Sequence, residues 1–574
     1  MGLSPSPSRT SLLSAAPSAD DYGSLHSTDD GGSTTPELRA PLRIKGLPET
    51  PQSSSVLPLT TPSALFDGES LGPLLSHALR PAAEMTPGAE SESDAEGLLA
   101  RHHQFQLGEA DLTTGWSWQE LRAQSYSLIV LGFPITIAAV VSGLNNTLTT
   151  TILGNMGTQE LAAASLALLV ASSTAVAPLM GLLMALETLC SQAYTGSSDP
   201  GMPGVYLQRC LLICTLVFTP IIVVWWHIHP IFLAMGQDAE LAIMAARYLR
   251  YVVLMVVSEM VFEGMKKFYI AQGLTRQIAV IHCAGVISGL PLFYLLTIHP
   301  ATSVGMVGVP LSITGAMVGA ITMASLWLRR SERSLGWTGF TWKALQGWGQ
   351  MARLAIPGCV MLTTELWALS LLGFAMAYFG PQALAAQAIA MTSLQFGMAA
   401  FQSIIVVIGS RVGNYLGLAM PNRARFITWS GLILGTVMAS VAAVLLTVFA
   451  EQWAQLFNKD PKVRAIVSAM MPLLAFLLVC QTVSGIASGV LRGQGRPKVS
   501  AMANVICYYA VAVPLGLLLI KFTHLGLLGL WMAFLAAIFL SALFQVIVVL
   551  RSNWAVEVDK CRARLAPDST PAGP

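Results

Sequence analysis

The sequence predicts an all-α membrane protein: twelve transmembrane helices in two pseudo-symmetric six-helix lobes, preceded by a disordered N-terminal tail. Three observations predict it. Hydrophobic residues make up 54% of the 574-residue chain and charged residues only 11%, where a soluble domain carries roughly 25%; mean hydropathy is +0.62. Past residue 115, apolar stretches long enough to cross a bilayer follow one another to about residue 550. One arrangement of those stretches occurs twice.

Residues 1–115 are rich in Ser, Pro, Gly and acids and hold too little apolar surface to offset the entropy of ordering, so they are expected to form a disordered cytoplasmic tail. They contain no apolar stretch of signal-peptide type, and the first span is expected to direct insertion. Spans starting near 126, 161, 205, 244, 277 and 304 build a first lobe over 116–328. The longest polar interruption, 329–351, is read as a cytoplasmic linker. Spans starting near 352, 384, 427, 465, 499 and 524 build a second lobe over 352–551, and 552–574 is a cytoplasmic tail.

Charge sets the orientation. Sixteen of the 30 acids lie at or before Glu120, and 26 of the 32 Lys and Arg lie after it. The membrane body is therefore basic. Its Lys and Arg concentrate after even-numbered spans and in the C-tail, as in Lys266, Lys267, Arg329, Arg411, Arg492 and Arg551. The positive-inside rule makes that side, and both termini, cytoplasmic. The excess expresses topology rather than binding of nucleic acid. The eight cysteines form no C-x-x-C, and Cys210 and Cys214, on one helix face, are read as packing; no metal site is expected.

The repeat is legible at a nearly constant offset. LGFP (Leu131 to Pro134) aligns with LAIP (Leu354 to Pro357), and GTQELAAASLA (Gly157 to Ala167) with GPQALAAQAIA (Gly380 to Ala390), both at an offset of 223. At an offset of 222, Gln272-Gly273 meets Gln494-Gly495 and Asp238 meets Asp460. Six spans per half send both halves into the membrane in the same direction. The halves are then related by an axis along the membrane normal, with a cavity at their interface.

Four acids interrupt the apolar stretches: Glu187, Glu259, Glu263 and Glu365. Glu365 lies in about 24 residues with no other charge. A carboxylate there costs roughly 2.5–3.5 kcal/mol on insertion scales, and such residues commonly face a cavity and carry protons or ions. Removal from water favours a carboxyl's neutral form, so a proton and a cationic substrate would compete for it. The alternative is a packing bond to a neighbouring helix. Glu263 precedes Lys267 by four positions, the favourable order for an intrahelical ion pair. Glu259 has no such local partner and is read as a proton- or substrate-binding candidate or as structural. Glu187 ends span 2, where a helix C-terminus disfavours negative charge; Arg411, Arg492 or Arg353 are the expected partners, in a cytoplasmic gate or a static brace. Pro134 and Pro357 are candidate kinks in the paired first spans, Trp367 is read as packing, and Phe374 and Tyr378 as candidate cavity lining.

Four motifs carry a family resemblance. They are ALETLCSQAYTG (Ala185 to Gly196), FYIAQG (Phe268 to Gly273), SRVGNYLG (Ser410 to Gly417) and GVLRGQGRPK (Gly489 to Lys498). Residues 120–550 resemble the multidrug and toxic compound extrusion (MATE) family in its eukaryotic, fungal branch. The resemblance implies two six-helix lobes exporting organic cations or other amphiphiles by antiport, with no enzymatic activity and no cofactor beyond a coupling ion. It implies that Glu365 is the span-7 glutamate of the second-lobe cavity. Gln192, within the first motif, is grouped with Glu187, Arg411 and Arg492 at the gate or brace. Three departures matter: Gln481 stands where many members carry an acid, Ser370 where some carry a second glutamate, and Thr149 where bacterial members have an aspartate. Coupling would then lean on Glu365, with Glu259 assisting and Gln481 hydrogen-bonding substrate, and with protons rather than sodium as the coupling ion.

Other classes fit less well. A lipid or oligosaccharide flippase needs a cavity lined by Arg and Lys, and an enzyme needs a His, Asp or Ser cluster that the pair His227 and His229 does not supply. A major-facilitator transporter needs a basic motif after span 2, and a transporter that has lost coupling is the reading Gln481 leaves open. The expected partners are small organic cations or amphiphiles and membrane lipids, around a monomer. Tyr22–Leu25 fits a tyrosine-based sorting pattern, and the acidic dileucine-like Asp94–Leu99 favours a vacuolar over a plasma-membrane address.

Overall fold

Each predicted apolar stretch is a helix. The structure, a computed structural model, describes residues 117–330, 336–377, 379, 381–457, 460–523 and 526–566; the N-terminal tail with its sorting-like segments, and Tyr378, fall outside them. The first lobe comprises α1 (Trp118–Met156), α2 (Thr158–Gly196), α3 (Met202–Trp226), α4 (Ala239–Ala271), α5 (Thr275–Thr297) and α6 (Gly308–Arg330). The second comprises α7 (Trp348–Ala377), α8 (Pro381–Gly417), α9 (Pro421–Val448), α10 (Pro461–Gly493), α11 (Pro497–Phe522) and α12 (Leu527–Leu550). All twelve are long and apolar enough to cross a membrane. A further helix, α13 (Trp554–Leu565), follows.

Most helices start several residues before their apolar stretch, and in three of them a capping side chain holds that first turn. Ser117 accepts from the Glu120 amide, and Asp238 and Asp460, the pair matched across the repeat, cap α4 and α10 alike. The helix ends match as well. Gly273 and Gly495 have φ of +77° and +75°, a conformation that favours glycine. Around them Gly273 N donates to Ile270 O and Leu274 N to Tyr269 O; Gly495 N donates to Arg492 O and Arg496 N to Leu491 O. All four partners lie at the offset of 222.

Packing repeats the same symmetry. α4 packs against α2, α3 and α6, and its counterpart α10 against α8, α9 and α12. α1 meets α5 as α7 meets α11. The lobes join through α2 against α7 and α8, and α1 against α8. At the α2–α7 crossing a Cβ on Gly181 would lie 2.5 Å from the Cys359 Cα, so only glycine permits this approach.

Neither π-helical segments nor an ordered linker was anticipated. α2 and α11 each carry a π-helical segment, Ser172–Val176 and Ile506–Ala512. α1 and α7 continue as helices through Pro134 and Pro357. Part of the linker is ordered: Gly336–Leu345 docks on α3, with Gly204 N donating to Gly336 O at 2.9 Å and Gln208 Nε2 to Gly339 O at 2.8 Å.

Candidate functional site

Glu365 sits in the middle of α7, half-buried. Its Oε1 accepts a 3.3 Å hydrogen bond from Gln481 Nε2 on α10. Next to it, Tyr509 of α11 donates to the Thr364 carbonyl at 3.4 Å. The two residues singled out separately in the sequence, the acid and the glutamine replacing an acid, therefore meet inside the second lobe. Among the described residues no Lys or Arg forms an ion pair with Glu365. Ser370 bonds back to the Leu366 carbonyl of its own helix at 2.9 Å. Thr149 is buried in the other lobe. Trp367, expected to pack, is half exposed and donates to Ser173 O at 3.4 Å. That carbonyl lies in the π-helical segment of α2, so the bond crosses between lobes.

Glu187 is 3% exposed and takes two positive partners: Lys267 Nζ at 2.5 Å on Oε1 and Arg492 Nε at 2.8 Å on Oε2. Lys267 comes from α4 in the same lobe and Arg492 from α10 in the other. Arg492 is an expected partner. Lys267 is a correction, because Glu263 pairs with Lys266 one turn away instead. Adjacent residues on a helix point about 100° apart, and Lys267 faces α2, where a carboxylate buried from water needs compensation. Among the described residues the ion pairs shown for Glu187 are these two, with Lys267 and Arg492, and Arg353 forms none with it.

The rest of the motif at the end of α2 continues this seam. Thr188 Oγ1 donates to Arg492 O at 2.5 Å, and Gln192 Nε2 to Gly493 O at 2.8 Å. Ser191 Oγ lies 3.1 Å from Ser410 Oγ, and Thr195 Oγ1 donates to Asn414 O at 2.8 Å. Positions 187, 188, 191, 192 and 195 lie on one helical face, and that face fastens the first lobe to the ends of α8 and α10. The seam lies at the end of the bundle where the basic residues gather. Sequence reading found Glu187, Gln192 and Arg492. It missed Lys267, Thr188, Ser191 and Thr195, whose signal was their spacing on one face of an apolar helix.

Seam and carboxylate are connected along α10. Arg492 Nη1 donates to Ser488 Oγ at 2.9 Å, and Ser488 Oγ to Met361 Sδ at 3.4 Å. Met361 is one turn from Glu365 on α7, and Gln481 two turns from Ser488 on α10.

In the first lobe Glu259 is half-buried, and among the described residues no hydrogen bond or ion pair reaches it. A residue that sequence reading passed over packs against the same helix: His282 of α5, 8% exposed. Its Nε2 lies 3.2 Å from Ser142 Oγ of α1, and its ring centroid 4.9 Å from that of Phe262. A lone histidine in an apolar stretch was the available signal. Among the described residues no group of three or more His, Cys, Asp or Glu could hold a metal ion.

Comparison with known proteins gives the same repeat. A family model described as MatE matches residues 134–295 and 357–518, and each of the two segments begins at one of the paired prolines, Pro134 and Pro357. An uncharacterized transporter of Schizosaccharomyces pombe is 32% identical over 486 residues, covering 83% of this chain and 87% of that protein. Multidrug and toxin extrusion protein 2 of Mus musculus is 28% identical over 463 residues, covering 79% of this chain and 78% of that protein. Protein DETOXIFICATION 51 of Arabidopsis thaliana is 27% identical over 448 residues, covering 77% and 83%. The fold is similar to the crystal structure of the eukaryotic MATE transporter AtDTX14, with TM-score 0.71 and 22% identity over 78% of this chain and 99% of that one.

Proposed function

This chain belongs to the MatE family of transporters, as an integral multi-pass membrane protein, and from that premise we propose that it exports organic cations or amphiphiles in exchange for protons. The observation that carries the reading is Glu365, whose bonded partner is the neutral Gln481 amide rather than a fixed cation. A carboxylate left without an internal counter-ion can take either a proton or a positively charged substrate. Binding one excludes the other, and that exclusion couples the two fluxes. Gln481, with no charge of its own, holds the carboxylate's orientation and offers its amide to substrate.

Alternating access then requires the seam around Glu187, Lys267 and Arg492 to open on the basic side, which the positive-inside rule makes cytoplasmic. Its closure leaves the cavity between lobes facing away from that side. Arg492 belongs to the seam and is linked through Ser488 to Met361, one turn from Glu365, which gives the protonation state a physical route to the closing contacts. The vacuolar address is proposed on the tail segment Asp94–Leu99 alone.

Proteoliposomes with an imposed pH gradient test the reading. Uptake of a monovalent organic cation should follow the gradient, up to about tenfold accumulation per pH unit in one-for-one exchange, and Glu365→Gln should abolish gradient-driven accumulation. Equal uptake with and without the gradient would remove proton coupling; undiminished coupling in Glu365→Gln would remove this residue from it.

A further inference from the structure

A groove of about 1270 Å³ lies on the first lobe, away from Glu365 and from the seam. Its walls are the basic-side portions of α3, α4 and α6, with Leu211, Met265 and Leu328 among the lining residues. Its roof is the ordered part of the linker between lobes. That roof is built in place: Gln208 donates to Gly339 O at 2.8 Å and accepts from Thr341 N at 3.1 Å. Lys343 Nζ bonds Asp199 at 2.9 Å, and Arg209 Nη2 donates to Lys343 O at 3.1 Å. Phe268, Trp337 and Phe340 then stack edge to face from wall to roof, with centroids 6.5 and 5.5 Å apart.

Two properties of this groove need an occupant. The roof leaves Phe340 91% and Trp342 83% exposed, at the level of the helix ends where aromatic side chains mark the edge of a bilayer. At the groove's mouth stands Arg329, which lines it together with Ser325 one turn earlier on α6. Arg329 and its neighbour Arg330 are exposed, and no hydrogen bond or ion pair reaches either among the described residues. An apolar trench between membrane helices, aromatic at its rim and positive at its mouth, is complementary to a molecule with an acyl chain and a negative headgroup. Basic pockets between spanning helices bind lipids of that kind.

We infer that this groove is a binding site for one anionic membrane phospholipid. The acyl chain lies along α3, α4 and α6 beneath Trp337 and Phe340, and the net negative headgroup meets Arg329 and Arg330. The site is independent of the antiport reading, since it shares no residue with Glu365 or the seam. By binding the linker and the first lobe together, the lipid would fix the segment that joins the two lobes.

Native mass spectrometry of the purified full-length protein tests this, with phosphatidylserine and phosphatidylcholine of identical acyl chains offered in equal amounts. The expected result is retention of one phosphatidylserine in preference to phosphatidylcholine. Each basic group near anionic lipid charge contributes roughly fivefold, so Arg329→Gln should cut the preference about fivefold and the double change Arg329→Gln with Arg330→Gln should erase it. Phe340→Ala with Trp342→Ala should lower retention of both lipids. Arg551→Gln, an exposed arginine elsewhere on the basic face, should leave the preference intact. Thermal unfolding of each variant identifies any that fail to fold, and the single Arg329 change, on an exposed position, keeps the test decisive. Retention of no lipid, equal retention of the two, or an Arg551→Gln effect as large as that of Arg329→Gln overturns the assignment.

Discussion

Glu187→Gln should release the seam between the lobes. The side chains of Glu187, Arg492 and Lys267 are 3%, 4% and 10% exposed, which places the triad among buried ion pairs rather than surface ones worth about 0–1 kcal/mol. Removing the single acid leaves two cations facing each other out of water. Breaking a buried pair by deleting one partner costs about 3–5 kcal/mol. In the open state Arg492 separates from Lys267 and hydrates, so most of that cost falls on the closed state. About 3 kcal/mol corresponds to a change of roughly 10² in the closed-to-open ratio. Ser410, 4% exposed and facing Ser191 across the seam, gives the readout. With the eight native cysteines replaced and Ser410→Cys introduced, labelling by a water-soluble maleimide should accelerate roughly 10²-fold in Glu187→Gln. Adding Arg492→Gln should recover part of the closure, because one of the stranded charges goes. An unchanged labelling rate in Glu187→Gln would refute the assignment of the triad to lobe closure.

Other consequences follow from the same geometry. Gly181→Ala places a methyl against the Cys359 backbone at the α2–α7 crossing; about 1–3 kcal/mol of overpacking strain should appear as a lower unfolding temperature and faster Ser410→Cys labelling. α13 should act as a dock on the basic end: Arg564 donates to Gln494 O at 2.9 Å and Gly495 O at 3.2 Å, and its own carbonyl accepts from Gln350 at 2.7 Å. Burial pushes the Cys561 thiol of this helix up to about 11. The reactive thiolate is the deprotonated form, so below that pH it is scarce. With Cys561 as the sole cysteine, labelling at pH 8 should therefore be slow and should rise towards pH 11. Gln350→Ala, which removes the bond to the Arg564 carbonyl and leaves in place the Arg564 charge that favours the thiolate, should speed labelling at pH 8; equal rates would show that this bond does not hold α13.

Much of this fold could be read from the sequence. Runs of apolar residues set the number of spans because only helices and closed barrels satisfy the backbone in lipid, and runs of this length suit helices. The repeat was legible through residues whose backbone role admits few substitutes, such as the capping pair Asp238 and Asp460 and the left-handed Gly273 and Gly495. What escaped was set by contacts between helices distant in sequence. Lys267 had an acid at the right local spacing, yet the buried carboxylate of Glu187, two helices earlier, outcompeted it. His282 on α5 finds Ser142 on α1, and Trp367 crosses lobes to a π-helical segment containing no proline or glycine to announce it. Glu365 and Gln481 were each singled out, but their juxtaposition needed α7 and α10 in place. The ordered linker and α13 escaped because both are polar stretches whose order comes from docking rather than from an apolar run.

The central claim is that a proton and a cation exclude each other at Glu365. Its most direct test is the number of protons released when a monovalent organic cation binds the purified protein in weakly buffered solution, at a pH where the free carboxyl is protonated. The account predicts up to one proton released per cation bound, and none in Glu365→Gln. Binding by the wild type with no proton release, or the same release from Glu365→Gln, would contradict it.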